Sequence, residues 1–173
     1  MPIVRSRRPL TVARIRAEAR RLLDGSTLCA IATVSPGNRA HVNTAYFAWS
    51  REFELVWLSE PAARHSRNLR ANSTAAIAVY DSSQSWEKPD RGIQLFGSAR
   101  EVAAPAARPA ERVYARRFPE SAQADLSAYR FYRFRPSRMK LFDEAALGAG
   151  VFVTATVRSG GRIAWERTEI YPR

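Results

Sequence analysis

Leu55-Val56-Trp57-Leu58-Ser59, followed by Glu60-Pro61-Ala62-Ala63-Arg64-His65-Ser66-Arg67-Asn68-Leu69, is the stretch around which the fold is organised. The first five residues are dominated by apolar side chains and predict a buried strand. The residues after it predict a short helix over residues 61–72, with Leu69 as its apolar anchor. Basic side chains and free backbone N–H groups at the start of a helix are well suited to bind a phosphate. We therefore expect Ser59, Arg64 and His65 to form a phosphate-binding site, called here the phosphate site.

Composition and spacing alone leave a simpler interpretation of the phosphate site open. Arg64, His65 and Arg67 could lie on a solvated face of the helix and bind no ligand. An arginine nevertheless offers a planar fork that matches phosphate oxygens, and a histidine adds a second donor whose pKa a dianion would raise. The surrounding strands are needed to choose between the two interpretations.

Short apolar runs separated by turn residues predict a mainly antiparallel β protein. Strands are predicted at residues 28–34, 40–49, 53–59, 74–80, 92–102, 129–135 with 138–142, and in a C-terminal hairpin of 151–157 and 163–171; helices are predicted at 11–23, 61–72 and 110–118. Many short strands with few intervening helices favour a closed barrel with peripheral helices. We expect residues 1–10 to be a basic, poorly packed arm, residues 11–173 to be one domain, and residues 103–109 to be a Pro/Ala linker.

The charge of the chain is strongly positive. Its net charge is +12, and only Lys88 and Lys140 are lysines, so the excess comes from arginine. A cluster of cations would indicate nucleic acid or a membrane surface as partner. The arginines are instead spread along the whole chain together with many alanines, which is typical of a GC-rich coding sequence. An anionic cofactor or substrate, or nucleic acid, stays open as a partner.

Several kinds of site are not supported by the sequence. The two histidines, His41 and His65, and the single cysteine, Cys29, are too few to predict a zinc site. The chain has no nucleophile elbow, no Walker motif and no Rossmann glycine pattern. It has no apolar run of the roughly 20 residues that span a membrane and no secretory signal pattern. A lone cysteine excludes an internal disulfide, and we expect a cytoplasmic protein.

The order and spacing of seven segments resemble the pyridoxamine 5'-phosphate oxidase-like flavin-binding split barrels. These segments are Ala32-Thr33-Val34, His41 to Phe47, Val56 to Ser59, Ala63 to Asn72, Arg91 to Ala99, Phe131 to Pro136, and Met139 to Asp143. The similarity covers residues 22–142. It implies an antiparallel split barrel that binds FMN as a homodimer, with the cofactor at the subunit interface.

The resemblance also assigns roles to particular residues. Ser59, Arg64 and His65 would hold the flavin phosphate, and Leu58 belongs to the same strand end. Gln94 would reach the flavin or its neighbourhood. The strand formed by Asn43, Thr44, Ala45 and Tyr46 would lie along the isoalloxazine ring and offer it backbone groups.

The chain departs from the vitamin B6 oxidases at positions that matter to their reaction. Val42 stands where those enzymes have an arginine, His65 where they have a lysine, and Gly92 where they have a glutamine. Their C-terminal substrate-binding segment has no counterpart here. We therefore do not expect vitamin B6 oxidation, and the resemblance leaves the substrate open.

The sequence and this resemblance together support an FMN-dependent oxidoreductase that acts on an unknown small molecule. The alternatives are a deazaflavin or haem protein of the same fold, a flavin-binding accessory protein without catalysis, and a nucleic-acid-binding module. His41 is a candidate acid or base, and it could equally be a strand residue that faces solvent. Trp86, on a predicted polar loop, is a candidate ligand contact.

Overall fold

The computed structural model describes residues 3–6, 9–103 and 107–171. Its strands are β1 (Val4–Ser6), β2 (Leu28–Ser35), β3 (Arg39–Trp49), β4 (Leu55–Ser59), β5 (Thr74–Tyr80), β6 (Arg91–Glu101), β7 (Arg130–Asp143), β8 (Val151–Arg158) and β9 (Arg162–Ile170). Its α-helices are α1 (Val12–Asp24), α2 (Arg64–Ala71), α3 (Ala107–Arg117) and α4 (Glu144–Leu147). Short 3-10 helices cover Pro119–Gln123 and Ser159–Gly161.

Six strands close into a ring in the order β4, β3, β2, β5, β6, β7, and every neighbouring pair is antiparallel. The fourteen-residue β7 completes the ring because its first half pairs with β4 while its residues from Tyr132 to Asp143 pair with β6. Its second half also pairs with β8, from which β9 and β1 extend the sheet. The predicted fold class, an antiparallel barrel with peripheral helices, is confirmed.

Local sequence explains the first two hairpins. The β2–β3 turn places Gly37 and Asn38 at positive φ, a conformation that glycine and asparagine tolerate better than other residues. The β3–β4 turn ends at Phe53, which also has positive φ and which closes a backbone hydrogen bond to the Ser50 carbonyl. The predicted meander of β2, β3 and β4 is confirmed.

The core lies inside the ring, where alternate side chains of the six strands meet. The largest fully buried side chains include Trp57, Tyr132, Phe47, Phe53 and Phe134. Helix α1 adds its apolar face to this core, and the side chain of Thr11 caps its first turn as predicted. Helix α3 covers the outside of β3, β4 and β7 through a second apolar cluster. No helix of the described part of the chain is long and apolar enough to cross a membrane.

The barrel opens between β3 and β4. Strand β3 pairs with β2 along residues 39–46, but it pairs with β4 only from Phe47 to Trp49. The outer edge of residues 39–46 therefore has no strand partner among the described residues. Helix α2, which follows β4 directly, contacts β2, β3 and β6. The gap between β3 and β4 is thus next to the predicted phosphate site.

Four predicted segments differ from the structure. Residues 4–6, expected in a poorly packed arm, pair with β9, while residues 1–2 and 7–8 of that arm lie outside the described residues. The last residues of the predicted linker belong to α3, which starts at Ala107. Residues 104–106 of this linker lie outside the described residues. Helix α2 begins at Arg64 rather than at residue 61, because Pro61 and Ala62 form a turn. Residues 129–135 and 138–142, left open by the sequence as one strand or a pair, are one strand with a bulge, since β7 stays paired with β6 through Pro136.

We expect the β6–β7 bulge to depend on Gly97. A Cβ at this position would lie 2.9 Å from Pro136 Cα and closer still to the Arg135 carbonyl. Gly97→Ala should therefore lower the free energy of unfolding by about 1–3 kcal/mol, the usual cost of overpacking, as measured by urea denaturation. Gly25→Ala is the matched control, because that residue has a right-handed φ of −69° and ordinary space around it. Equal stability of the two variants would contradict this account of the bulge.

Candidate functional site

The phosphate site joins the end of β4 to the start of α2. Ser59 is the last residue of β4, and its Oγ lies 2.7 Å from His65 Nε2. Ser66 Oγ donates to Ser59 Oγ at 3.2 Å, and both serines are buried. Two of the three predicted phosphate residues therefore touch each other, and Ser66 adds a second hydroxyl that sequence reasoning missed.

Arg64 completes this group as a cation without a protein partner. It begins α2, is exposed, and makes no hydrogen bond or ion pair with any described residue. The other two arginines of α2 already have hydrogen-bond partners, because Arg67 donates to the Ala62 carbonyl and Arg70 donates to the Pro61 carbonyl. The α2 N-cap, Ala63, has no side chain that could accept from the first-turn N–H groups, and this turn has no acidic residue. The end of the helix therefore offers both a guanidinium and free backbone donors to an anion.

A buried asparagine fixes the position of α2. Asn68 Nδ2 donates to Thr33 Oγ1 at 3.0 Å and to Ser35 Oγ at 3.1 Å, and all three side chains are buried. Leu69 packs in the main core beside them. These contacts attach the helix to β2, so they also hold Arg64 and His65 beside the gap between β3 and β4.

The environment of His65 favours its neutral form. Burial lowers the pKa of His65 from its ordinary value of 6.5, and the charge of nearby His41 lowers it further. His41 lies on β3 opposite Thr33 and is half-buried. A dianionic phosphate next to both histidines would act in the opposite direction and favour the charged form of His65.

Asn43, Thr44, Ala45 and Tyr46 share the unpaired edge of β3 but not one face of it. Asn43 and Ala45 point to the same side as the buried residues of β2, whereas Thr44 and Tyr46 are exposed on the other side. Asn43 Oδ1 is buried without a hydrogen-bond partner among the described residues. This strand edge therefore offers backbone groups and one unsatisfied side-chain acceptor.

The structure places Leu58 and Gln94 away from the other residues that were predicted to bind the cofactor. Leu58 points away from Ser59 and packs in the apolar cluster beneath α3. Gln94 is exposed on β6, and its row across the sheet runs through Ala78 and Ala30 to Thr44. Three strand spacings separate Gln94 from Thr44, about 14 Å. Within one chain, Gln94 is therefore too distant to share a contact with the β3 edge.

The remaining candidates stand apart from the phosphate site. Trp86 is 92% exposed on the β5–β6 loop and borders a surface concavity with Lys88 and Asp90. Burial raises the pKa of Cys29 to about 12, against a smaller opposing effect of Arg117, so this thiol is unreactive. The described residues contain no group of three or more His, Cys, Asp or Glu side chains that could hold a metal.

The family model described as Pyridoxamine 5'-phosphate oxidase matches residues 15–143 of this chain. The chain belongs to the pyridoxamine 5'-phosphate oxidase family. The matched range includes the whole six-stranded ring together with α2, and so it contains the phosphate site and the β3 edge. Comparison with curated protein sequences found no match.

Solved structures of similar fold include proteins with different cofactors. A heme binding protein from Mycobacterium smegmatis is 18% identical with a TM-score of 0.66, over 94% of this chain and 60% of that protein. HutZ, the heme storage protein from Vibrio cholerae, is 21% identical with a TM-score of 0.60, over 69% and 88%. An FAD-binding protein from Mesorhizobium loti is 16% identical with a TM-score of 0.61, over 83% and 99%. Identities this low show the shared fold alone.

The chain belongs to the pyridoxamine 5'-phosphate oxidase family, but it lacks the arginine and the glutamine that the resemblance to the B6 oxidases would place at Val42 and Gly92. Val42 is 61% exposed on the outer face of β3, so no arginine is available there. At Gly92 a Cβ would lie 2.6 Å from the Phe142 ring, so a glutamine side chain does not fit without displacing this ring. Neither position therefore offers a polar side chain to a phosphate.

The lowered pKa of His65 predicts a pH dependence of stability. A histidine with a folded-state pKa below 6.5 stabilises the folded chain fully above pH 6.5, and this contribution is lost as the pH falls through the folded-state value. Urea denaturation between pH 7.5 and 5 should show this decline in the wild type and a smaller decline in His65→Gln. An unchanged decline in that variant would contradict the environment assigned to His65. His41→Gln removes only the smaller cause of the lowered pKa of His65, so it should reduce the decline less than His65→Gln does.

Proposed function

We propose that this chain binds FMN in the gap between β3 and β4 and serves as a flavin-dependent oxidoreductase for a small molecule. The observation that carries the proposal is the position of an uncommitted cation, Arg64, beside a strand edge without a partner. The flavin would supply the redox chemistry, while the protein would bind and orient it. The compartment we propose is the cytoplasm, because the only cysteine is buried and free.

The phosphate end of the cofactor is matched by the phosphate site. Arg64 would contribute its guanidinium fork, and the first turn of α2 would contribute backbone N–H groups. His65 would become a second donor by taking up a proton, while Ser59 stays within hydrogen-bond distance of its ring. Neither arginine that follows Arg64 in α2 is available, because both are bonded to backbone carbonyls.

The ring of the cofactor is matched by the β3 edge. Residues 43–46 have no strand partner among the described residues on the side that faces away from β2, so backbone groups there can meet a flavin's polar edge; the Thr44 carbonyl already accepts from Asn43 Nδ2 at 3.4 Å. The buried Oδ1 of Asn43 lacks a donor and would gain one from a bound ligand. The side chains of His41 and Thr44 lie on opposite sides of this edge. The position of neither side chain identifies it as a catalytic acid or base.

A second copy of this chain would complete the site. The outer face of β2, β3, β5 and β6 is apolar and uncovered: its centre is Ala30, Ala32, Ala76 and Ala78, and its rim is Leu28, Val42, Tyr46, Tyr80 and Phe96. The small central residues permit close approach of two sheets, and the face borders the β3 edge directly. In such a homodimer Gln94 of one copy, which lies on this face, could reach the cofactor of the other.

Replacing Arg64 should remove the preference of the chain for a phosphorylated flavin. We expect Arg64→Ala to weaken FMN binding at least tenfold and to leave riboflavin binding nearly unchanged, because riboflavin lacks the phosphate. Quenching of flavin fluorescence on titration measures both affinities. Arg112→Ala is the control, since Arg112 is also exposed on a helix but is far along the chain in α3. If the wild type binds both flavins equally, the phosphate site is wrong.

A charge placed on the apolar sheet face should separate the two copies. Val42→Asp puts a carboxylate on the apolar rim of the proposed contact, and we expect a monomer with weaker FMN binding. Sedimentation velocity and FMN titration give the two readouts. Val12→Asp, at an exposed valine of α1, is the matched control and should stay dimeric. A Val42→Asp dimer with normal FMN affinity would refute this interface.

Haem is the second candidate ligand, favoured by the interaction between the two histidines of the site. His41 and His65 are close enough for the charge of one to lower the pKa of the other, and imidazoles are common haem ligands. The absorption spectrum of the protein with added hemin or added flavin distinguishes the candidates. A Soret band that is lost in His65→Ala would favour haem, and flavin bands that bleach on reduction would favour a flavin or deazaflavin.

A further inference from the structure

Two arginines stand directly opposite each other on the outer face of the barrel. In the β6–β7 ladder Arg100 pairs with Arg133, and the next pair on that face is Ser98 with Arg135. Side chains of directly opposed residues begin about 5 Å apart, and like charges in that position destabilise a sheet. Three guanidinium groups and one hydroxyl therefore converge on a small area of two neighbouring strands.

The nearby carboxylates do not neutralise this cluster. Glu54 forms ion pairs with two arginines of the cluster, at 2.8 Å from Arg135 and 3.9 Å from Arg133. Glu101 accepts from the Tyr132 hydroxyl at 3.3 Å and lies 4.0 Å from Arg70. Arg100 is exposed and has no hydrogen bond or ion pair within the described part of the chain. A surplus of positive charge is thus left at the Arg100 end.

The bulge in β7 makes this surface concave. At Gly97 and Pro136 the β6–β7 register shifts, and Gly97 lets the two backbones approach closely. A cavity of about 160 Å³ is lined by Ser98, Arg100, Glu101, Val102, Arg133 and Arg135, so three guanidinium groups face one carboxylate there. It shares Ser98 and Arg135 with a longer groove of about 490 Å³, which continues past Glu54, Ser137 and Glu52 to Ser159. The first cavity is large enough for a phosphate group, and the groove can take the body of a small molecule.

We propose that this surface binds a phosphate monoester with a hydroxylated body. The phosphate would be held by Arg100, Arg133 and Arg135, because arginine forks match its oxygens and would relieve the repulsion between the opposed side chains. The body would lie in the groove, where the Glu52 carboxylate can accept from hydroxyl groups and Ser137 Oγ, which donates to the Phe96 carbonyl, keeps acceptor capacity. This site is additional to the proposed flavin site and does not depend on it.

The two sites lie on opposite faces of β7. Ser59 of the phosphate site pairs with Arg130, which has the same side-chain direction as the buried Tyr132. Arg133 and Arg135 alternate with these residues and point outward. A ligand of the outer cluster therefore cannot be held by Arg64 or His65, and the two sites can be tested separately.

Isothermal titration with three probes tests this proposal. Glucose 6-phosphate should bind to the wild type, inorganic phosphate should bind more weakly, and glucose should not bind. Arg100→Gln should weaken the binding of glucose 6-phosphate at least tenfold, while the control Arg112→Gln should not change it. Arg64→Ala should also leave it unchanged, which separates this site from the flavin phosphate site.

Three outcomes would overturn the proposal. Equal binding of glucose 6-phosphate by the wild type and Arg100→Gln would exclude the cluster as its site. Equal binding of glucose and glucose 6-phosphate would exclude recognition of the phosphate. A single-stranded oligonucleotide that binds more tightly than glucose 6-phosphate, and loses affinity in Arg100→Gln, would identify the surface as a site for nucleic acid instead.

Discussion

The separation of β3 from β4 beyond Phe47 is the constraint on which the candidate site depends. Continued pairing would bring Ala45 opposite Ser59 and would consume the backbone groups of residues 43–46 within the sheet. Helix α2 prevents this closure because Asn68 attaches it to Thr33 and Ser35 of β2. The buried side-chain amide of Asn68 therefore helps to keep the edge of β3 unpaired, and it also fixes the positions of Arg64 and His65.

The arginine excess has two different structural consequences in this chain. Many arginines bind backbone carbonyls or carboxylates, as Arg67, Arg117 and Arg135 do, and these contacts stabilise the fold. Arg64 and Arg100 have no such contact among the described residues. Composition therefore accounts for the number of arginines, whereas only the contacts distinguish those that remain available to a ligand.

Local patterns in the sequence predicted most of the fold. The short apolar runs of β2, β5 and β6 and the turn at Gly37 and Asn38 identify these strands without tertiary information. The closure of the ring through β7 could not be predicted in the same way, because a strand that serves three partners has no local signature. The sequence left open whether residues 129–142 form one strand or a pair, because Pro136 lacks the N–H of a regular ladder and the bulge beside it has no local signature.

The candidate site was less predictable than the fold, and for physical reasons. Ser59 and His65 could be paired because they flank one short turn, but Gln94 lies three strand spacings from Thr44, and chain order does not reveal that distance. Asn68 was passed over because a polar helical residue usually faces solvent. The opposed Arg100 and Arg133 were equally hidden, since their sequence separation gives no register.

The hydrogen bond between Ser59 and His65 explains how the phosphate site avoids self-repulsion. A neutral imidazole has one acceptor nitrogen, so Ser59 can donate to Nε2 while Ser66 donates to Ser59. Burial favours this neutral form, and it keeps a further charge away from His41. A phosphate dianion reverses the balance, because a charged ring can then donate to the anion or to Ser59. The second cation of the site is thus formed only when an anion compensates it, which limits the cost of holding basic groups together in the folded chain.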